Sequence, residues 1–204
     1  MNRLVVLHGI SGTGKTSLAL ALEEQIPSQY QYSHPIGFLK NFIEDIYQLK
    51  RNSLELYQYK YQPVSPKRKS TFQDILVAQW KLFREHDPEF SIRGWNRDLL
   101  DIWNKGRIPV TMSLRNLEEV DLLDYRLMPE DQVLVIFLTR PLVKEASSDK
   151  LFEDIKEKLE NLEGTVEYRT LVNDKPTLDE WVFEGIQVVE NWRNSLKPTL
   201  VQEP

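Results

Sequence analysis

Short runs of apolar residues alternate along this chain with stretches whose apolar positions recur at helical spacing. That is the pattern of parallel strands buried under a wrapping of helices. Residues 4–8 form a first buried run, followed by a helix over 16–25 that ends near Pro27. Residues 108–112 and 133–139 ("VLVIFLT") are rich in β-branched side chains and read as buried parallel strands. Residues 165–172 alternate polar and apolar positions, as a more exposed strand does, and 31–33 form a further short one.

Helix ends are marked too. Asp87-Pro88 reads as an N-cap followed by proline at the first helical position, opening a helix that runs to Lys105 and stops at Gly106. Ser148 caps a helix with Leu151, Ile155, Leu159 and Leu162 on one face, stopped by Gly164. Thr177 and Glu180 form a capping-box pair opening a last helix, with Trp181, Val189 and Trp192 among its apolar residues. The segment 51–70, "RNSLELYQYKYQPVSPKRKS", fits neither period and reads as an excursion from the core. The expectation is one domain over 1–197, with 198–204 a tail.

The chain's 204 residues suffice for one α/β domain. A formal net charge of −5 argues against a broad grip on nucleic acid, so any anion must be met by a local cluster. Cysteine is absent, which excludes disulfides, thiolate metal sites and a Cys nucleophile. No apolar run is long enough for a signal peptide core or a membrane span, so a cytoplasmic location is expected, the host's if the chain comes from a phage. His8, His34 and His86 have no metal-site spacing.

One motif carries chemistry by itself. Gly9-Ile10-Ser11-Gly12-Thr13-Gly14-Lys15-Thr16, followed by Ser17, matches G-x-x-x-x-G-K-[ST], between an apolar strand and an amphipathic helix. Its glycines let the backbone curl so that successive N–H groups face phosphate oxygens, and the helix offers its free N–H groups to the same anion. In this pattern Lys15 reaches the β- and γ-phosphates of ATP and the Thr16 hydroxyl ligates Mg²⁺. The expected fold is a three-layer α/β/α P-loop NTPase with a short parallel sheet. Neither good strand ends in the Asp or Asp-Glu of a motor ATPase, and no N-K-x-D guanine reader is present. A small-molecule kinase instead needs cations around two polyanions, and Lys40, Arg84, Arg93, Arg97, Arg115, Arg140 and Lys144 are the candidates. Each alone is by habit a solvated charge. Arg115 and Arg140 stand out because they follow buried strands, where ligands gather in open sheets.

Four stretches in order resemble the deoxynucleoside monophosphate kinase family of phages, a relative of adenylate kinase and of animal-type phosphomevalonate kinase. They are the P-loop; "HPIGFLK"; "TFQDILVAQWKLFREHDPEFSIRGW"; and "VTMSLRNLEEVDLL" with "VLVIFLTRP". "LVNDKPTLDEW" is a weaker echo. The resemblance implies phosphoryl transfer from ATP to a (deoxy)nucleoside monophosphate, in a nucleoside-monophosphate-kinase-like fold. It puts Lys40, Arg84 and Arg115 on the acceptor phosphate, and Arg140 and Lys144 in a short lid over about 140–150. Asn173 and Asp174 would lie near the donor base. It departs from the family at Ser113, where an aspartate that helps organise Mg²⁺ is expected, and at Gln73, where an arginine is expected. Glu118, Glu119 and Asp87 are the acidic residues that could substitute.

Two other readings stay open: a nucleotide-binding protein of kinase descent that no longer transfers phosphate, and a kinase for a non-nucleotide small molecule. The tyrosines of 51–70 either stack over an acceptor base or sit in a solvated loop. The expected partner is a small nucleotide, not nucleic acid or membrane. Oligomeric state is open, a homodimer among the options.

Overall fold

The computed structural model describes residues 1–67, 69–112, 114–141, 150–162 and 165–196. Five parallel strands form one sheet: β1 (Arg3–His8), β2 (Tyr30–Ser33), β3 (Ile108–Met112), β4 (Gln132–Thr139) and β5 (Thr165–Val172), in the order β2-β3-β1-β4-β5. The central strand β1 pairs with β3 through Val5 and Val110 and with β4 through Val5 and Leu134. β1 leads away toward β2 and β4 leads away toward β5, so their carboxyl ends open a crevice at the point where the winding reverses.

Strand periodicity divides the core into two layers. Val5 and Leu7 of β1, with Leu134, Ile136 and Leu138 of β4, face helices α1 (Lys15–Gln25) and α8 (Leu178–Ser195). There they meet Leu18, Leu22, Trp181, Val189 and Trp192. Leu4, Val6, Val133 and Val135 face the opposite layer of α5 (Phe90–Asn104), α6 (Leu117–Arg126) and α7 (Lys150–Leu159). Trp95, Leu99, Leu123, Ile155 and Leu159 close that side. The result is a three-layer α/β/α fold around a parallel sheet. Among the described residues no helix is long and apolar enough to cross a membrane.

A third, smaller apolar cluster lies beside the sheet. It joins Leu39 and Ile43 of α2 (Gly37–Ile46), Leu54 of a 3-10 turn (Ser53–Glu55), and Phe72 and Leu76 of α4 (Phe72–His86). A one-turn helix α3 (Tyr57–Lys60) follows the 3-10 turn. The segment 51–70 is therefore not a bare excursion, because Leu54 is 1% exposed and anchors it to α2 and α4.

Four boundary expectations need correction. α5 opens at Phe90 behind Glu89; Asp87 instead ends α4, its N–H bonded to the Phe83 carbonyl and its carbonyl accepting from the Phe90 N–H. Two helices meet there in a tight turn, which leaves Pro88 no place inside either. α5 itself ends at Asn104, one residue short of Lys105, and Gly106 takes the left-handed backbone (φ 69°) that stops it. Thr177 accepts from the Glu180 N–H at 3.3 Å, but the reciprocal capping box is built at Thr71 and Asp74. Leu151 is 38% exposed rather than part of the buried face of α7, which is carried by Ile155, Leu159 and, just beyond, Leu162. Ser148, Gly164 and the 198–204 tail lie outside the described residues.

Candidate functional site

The turn from β1 into α1 does what its glycines require. Gly12 and Gly14 both adopt left-handed backbone, φ 85° and 97°. A Cβ at Gly14 would also run into the indole of Trp181 and come within 3.0 Å of the Asn173 amide. At Gly9 a Cβ would sit 2.5 Å from the Leu138 carbonyl oxygen. Glycine is thus demanded by backbone shape at one end and by close packing at both.

Side chains from three elements hold this curl. Thr13, fully buried, donates its hydroxyl to the Ile10 carbonyl at 2.9 Å. The Asn173 amide, just past β5, donates to the Thr13 carbonyl at 3.1 Å. Arg140, just past β4, donates to the Gly12 carbonyl at 3.2 Å. These three bonds occupy the Ile10, Gly12 and Thr13 carbonyls and fix the curl.

Lys15 donates to the Gly9 and Ile10 carbonyls at 2.5 and 2.6 Å, so its ammonium lies across the loop mouth. Burial pulls it down to about 8, with the Arg115 charge adding to the shift. His8 stacks on Phe152 of α7 at 4.3 Å between ring centres. Burial, then Lys15, lowers it to about 4, so it is neutral at physiological pH.

The loop opens into a cavity of about 680 Å³. Gly9, Ser11, Gly12, Gly14, Lys15, Thr16 and Ser17 form one wall, with Asn173 and Leu178 beside them. Among the described residues, Lys40, Lys60, Arg115 and Arg140 bring the cationic side chains to five against two carboxylates, Glu55 and Glu153. His34 and Met112 complete the floor.

Lys40 and Glu55 are locked together. Both carboxylate oxygens of Glu55 accept from the Lys40 ammonium at 2.7 Å, with side chains 5% and 7% exposed. Burial pulls the Lys40 ammonium below the usual lysine range, and Glu55 opposes that shift. Glu44, one turn along α2, accepts from the N–H groups of Asn52 and Leu54 and so fixes the turn that carries Glu55.

The sequence-derived set is only partly assembled here. Arg115, Arg140, Lys40 and Asn173 reach the cavity with the loop. Arg84 does not: its guanidinium lies over the Trp80 ring of its own helix, 5.1 Å from the centroid. Asp174 also turns away, toward Lys175 at 3.7 Å. Lys144, Ser113 and most of the 140–150 segment lie outside the described residues.

Two of the three acidic stand-ins, Asp87 and Glu119, are engaged elsewhere. Asp87 pairs with Arg93. Glu119 accepts from the Arg115 N–H at 2.6 Å and its own N–H donates to Asn116 at 2.9 Å, closing the start of α6. Burial raises its carboxyl to about 7. It positions Arg115 rather than offering oxygens to the cavity.

No protein-family model matches the chain, and no curated protein matches it. Among solved structures it resembles a dephospho-CoA kinase from Campylobacter jejuni, at 15% identity and TM-score 0.46 over 96% of this chain and 99% of that one. A thymidylate kinase from Candida albicans is 16% identical, with TM-score 0.41 over 96% and 94% of the two chains. A thymidylate kinase from Ehrlichia chaffeensis gives 12% and 0.34 over 93% and 100%. Likenesses this loose carry no argument. The fold rests on strand order, register and the glycine loop.

Sequence reasoning passed over several cavity residues. Glu55, Lys60, Phe152 and Glu153 belong to no motif. For α2 a signal existed: Leu39 and Ile43, with Lys40 and Glu44, repeat at four-residue spacing on the side that packs inward. For Glu55 there was none, because its meeting with Lys40 depends on how the 3-10 turn docks.

Proposed function

We propose that this chain transfers the terminal phosphoryl group of ATP to a small acceptor, and that the acceptor is a (deoxy)nucleoside monophosphate, which leaves as the diphosphate. One observation carries the reading: a glycine loop shaped for phosphates opens into a cavity where, among the described residues, cationic side chains outnumber carboxylates by five to two. Such a surplus serves a reaction between two polyanions, in which the protein supplies position and charge rather than covalent chemistry. The acceptor oxygen attacks the γ-phosphorus, the bond to the β–γ bridging oxygen breaks, and ADP leaves with that electron pair. Lys15 and Arg140 flank the donor phosphates, while Arg115 and Lys60 stand toward the acceptor.

Magnesium suits this site through one protein ligand. The Thr16 hydroxyl has only a weak partner, the Met112 sulfur at 3.6 Å, so its oxygen lone pairs are free for a cation. Among the described residues there is no cluster of three or more acidic or histidine groups able to hold a metal. The other ligands would be phosphate oxygens and water. When bound, the metal would neutralise charge on the triphosphate. Lys15 orients the chain's end of that triphosphate, and the cavity walls limit the entry of water.

The Lys40–Glu55 pair favours a second reading for the acceptor. A phosphate arriving at Lys40 meets a buried carboxylate, whereas a hydroxyl can donate to it. A kinase for a hydroxyl-bearing, non-nucleotide acceptor uses the pair as it stands.

The test is ADP release with ATP and Mg²⁺ over a panel of (d)NMPs, nucleosides and phosphorylated alcohols. The first reading expects turnover that depends on one or a few (d)NMPs, with Glu55→Gln tightening acceptor binding. The second expects turnover with a hydroxyl acceptor and a lower kcat in Glu55→Gln. Background rates with every acceptor, despite ATP binding, would leave a nucleotide-binding protein without transfer.

A further inference from the structure

The opposite end of the sheet carries a second charged cleft that the loop chemistry does not use. Its volume is about 320 Å³. Arg3 opens β1, Arg107 precedes β3, and these strands are parallel neighbours, so the two arginines start side by side. The last turn of α8 brings Arg193 to the same cleft. The Trp103 ring, Gly106 and Asn2 also line it, and among the described residues no carboxylate does. In a chain with 31 acidic residues against 26 basic ones, three arginines without a lining acid are a local reversal of the overall charge.

The partners of these arginines leave most of that charge uncompensated. Arg3 donates to the Gln132 side chain at 3.0 Å and Arg107 to the Gln31 side chain at 3.2 Å, both neutral amides. Among the described residues only Arg193 has a hydrogen-bonded acidic partner, Glu190 at 2.8 Å, which also accepts from the Tyr30 hydroxyl at 2.6 Å; Arg107 feels the Glu23 charge without bonding to it. The Arg193 Nε is shielded from solvent and has no hydrogen-bond partner. Guanidinium groups are weakly hydrated, and their planar donor forks match phosphate oxygens.

We propose that the cleft between Arg3, Arg107 and Arg193 binds a small phosphorylated anion bearing at least two phosphate groups, apart from the glycine loop. The cleft lies at the amino ends of the strands and the loop at their carboxyl ends, so both can be filled at once. Pyrophosphate is the probe, followed through backbone and indole N–H signals by NMR. Gly106 and Trp103 report the cleft, the latter through an indole N–H held to the Arg3 carbonyl at 2.8 Å and assigned with Trp103→Phe. Gly12 and Gly14 report the loop.

The wild-type protein should show saturable shifts at Gly106 and Trp103 with Kd below about 1 mM. Arg107→Ala and Arg193→Ala should each weaken that response by roughly 10-fold, as expected for losing a charge-assisted contact. The response should persist in Lys15→Ala, and citrate should bind more weakly than pyrophosphate. Shifts confined to Gly12 and Gly14, shifts unchanged by both arginine substitutions, or citrate binding as well as pyrophosphate would each overturn the proposal. Intact spectra elsewhere in the variants show that the fold is kept.

Discussion

The two walls of the main cavity are built on different principles. The loop wall is backbone: a curl whose shape comes from glycines, pinned by Thr13 within it and by Arg140 and Asn173 from just past β4 and β5. The facing wall is side chain: Lys40 and Glu55 come from separate segments and meet in a buried ion pair. The first wall exposes a binding surface and takes one part-buried charge, the Lys15 ammonium held on the Gly9 and Ile10 carbonyls. The second places charge in the interior, so its stability depends on the pair staying intact. Damage to the loop wall should therefore cost activity, and damage to the ion-pair wall should cost stability.

The largest effect separates the walls most sharply. Lys15→Ala should lower phosphoryl transfer by ~10³-fold or more, the scale of losing a group that meets developing charge. Its thermal midpoint should stay at or above the wild-type value, since a desolvated ammonium is removed. Steady-state kinetics beside a melting curve would check both halves.

Next comes Lys40→Ala, which strands the Glu55 carboxylate in a buried site and should destabilise the fold by ~3–5 kcal/mol. The double replacement Lys40→Met with Glu55→Leu should recover most of that loss, because neither charge is then left alone. Urea unfolding of the wild-type protein and both variants measures it. A small loss in Lys40→Ala would show that the ion-pair wall is not the weak point.

A smaller effect blurs the division on purpose. Gly14→Ala forces a side chain into left-handed backbone against Trp181 and Asn173, and should cost ~1–3 kcal/mol together with triphosphate affinity. Unfolding and binding curves on one variant would show the two losses together.

The smallest concerns protons. With Lys15 at about 8, the uncomplexed loop holds its full charge below that pH and loses it above. Triphosphate affinity should fall as pH rises through about 8, by up to ~10-fold per pH unit. Folding stability moves the other way: the unfolded chain binds the extra proton between about 8 and the ordinary lysine range, so stability rises there. Lys15→Arg should remove the break in affinity.

The same contrast explains what could be read in advance. β3 and β5 were legible to the residue, and β1 and β4 to within one, because an unbroken apolar or alternating run needs no partner to be recognised. The glycine loop was legible because its chemistry lies within eight consecutive residues. Lys40 was named, but its tie to Glu55 was not, because fifteen residues and a docked turn separate them. Arg84 misled for the opposite reason: its place after an amphipathic helix fitted a pattern, while the Trp80 ring nearby in sequence took its guanidinium. Asp87 read as a helix start because caps and turns use the same residue types.

The central claim is that the loop from Gly9 to Ser17 clasps the phosphates of ATP with Lys15 across its mouth. Calorimetric titration of ATP with Mg²⁺ into the wild-type protein and Lys15→Ala tests it most directly. The account predicts one saturable site in the wild-type protein and its loss in the variant. No heat in the wild-type protein, or equal binding in both, would contradict it.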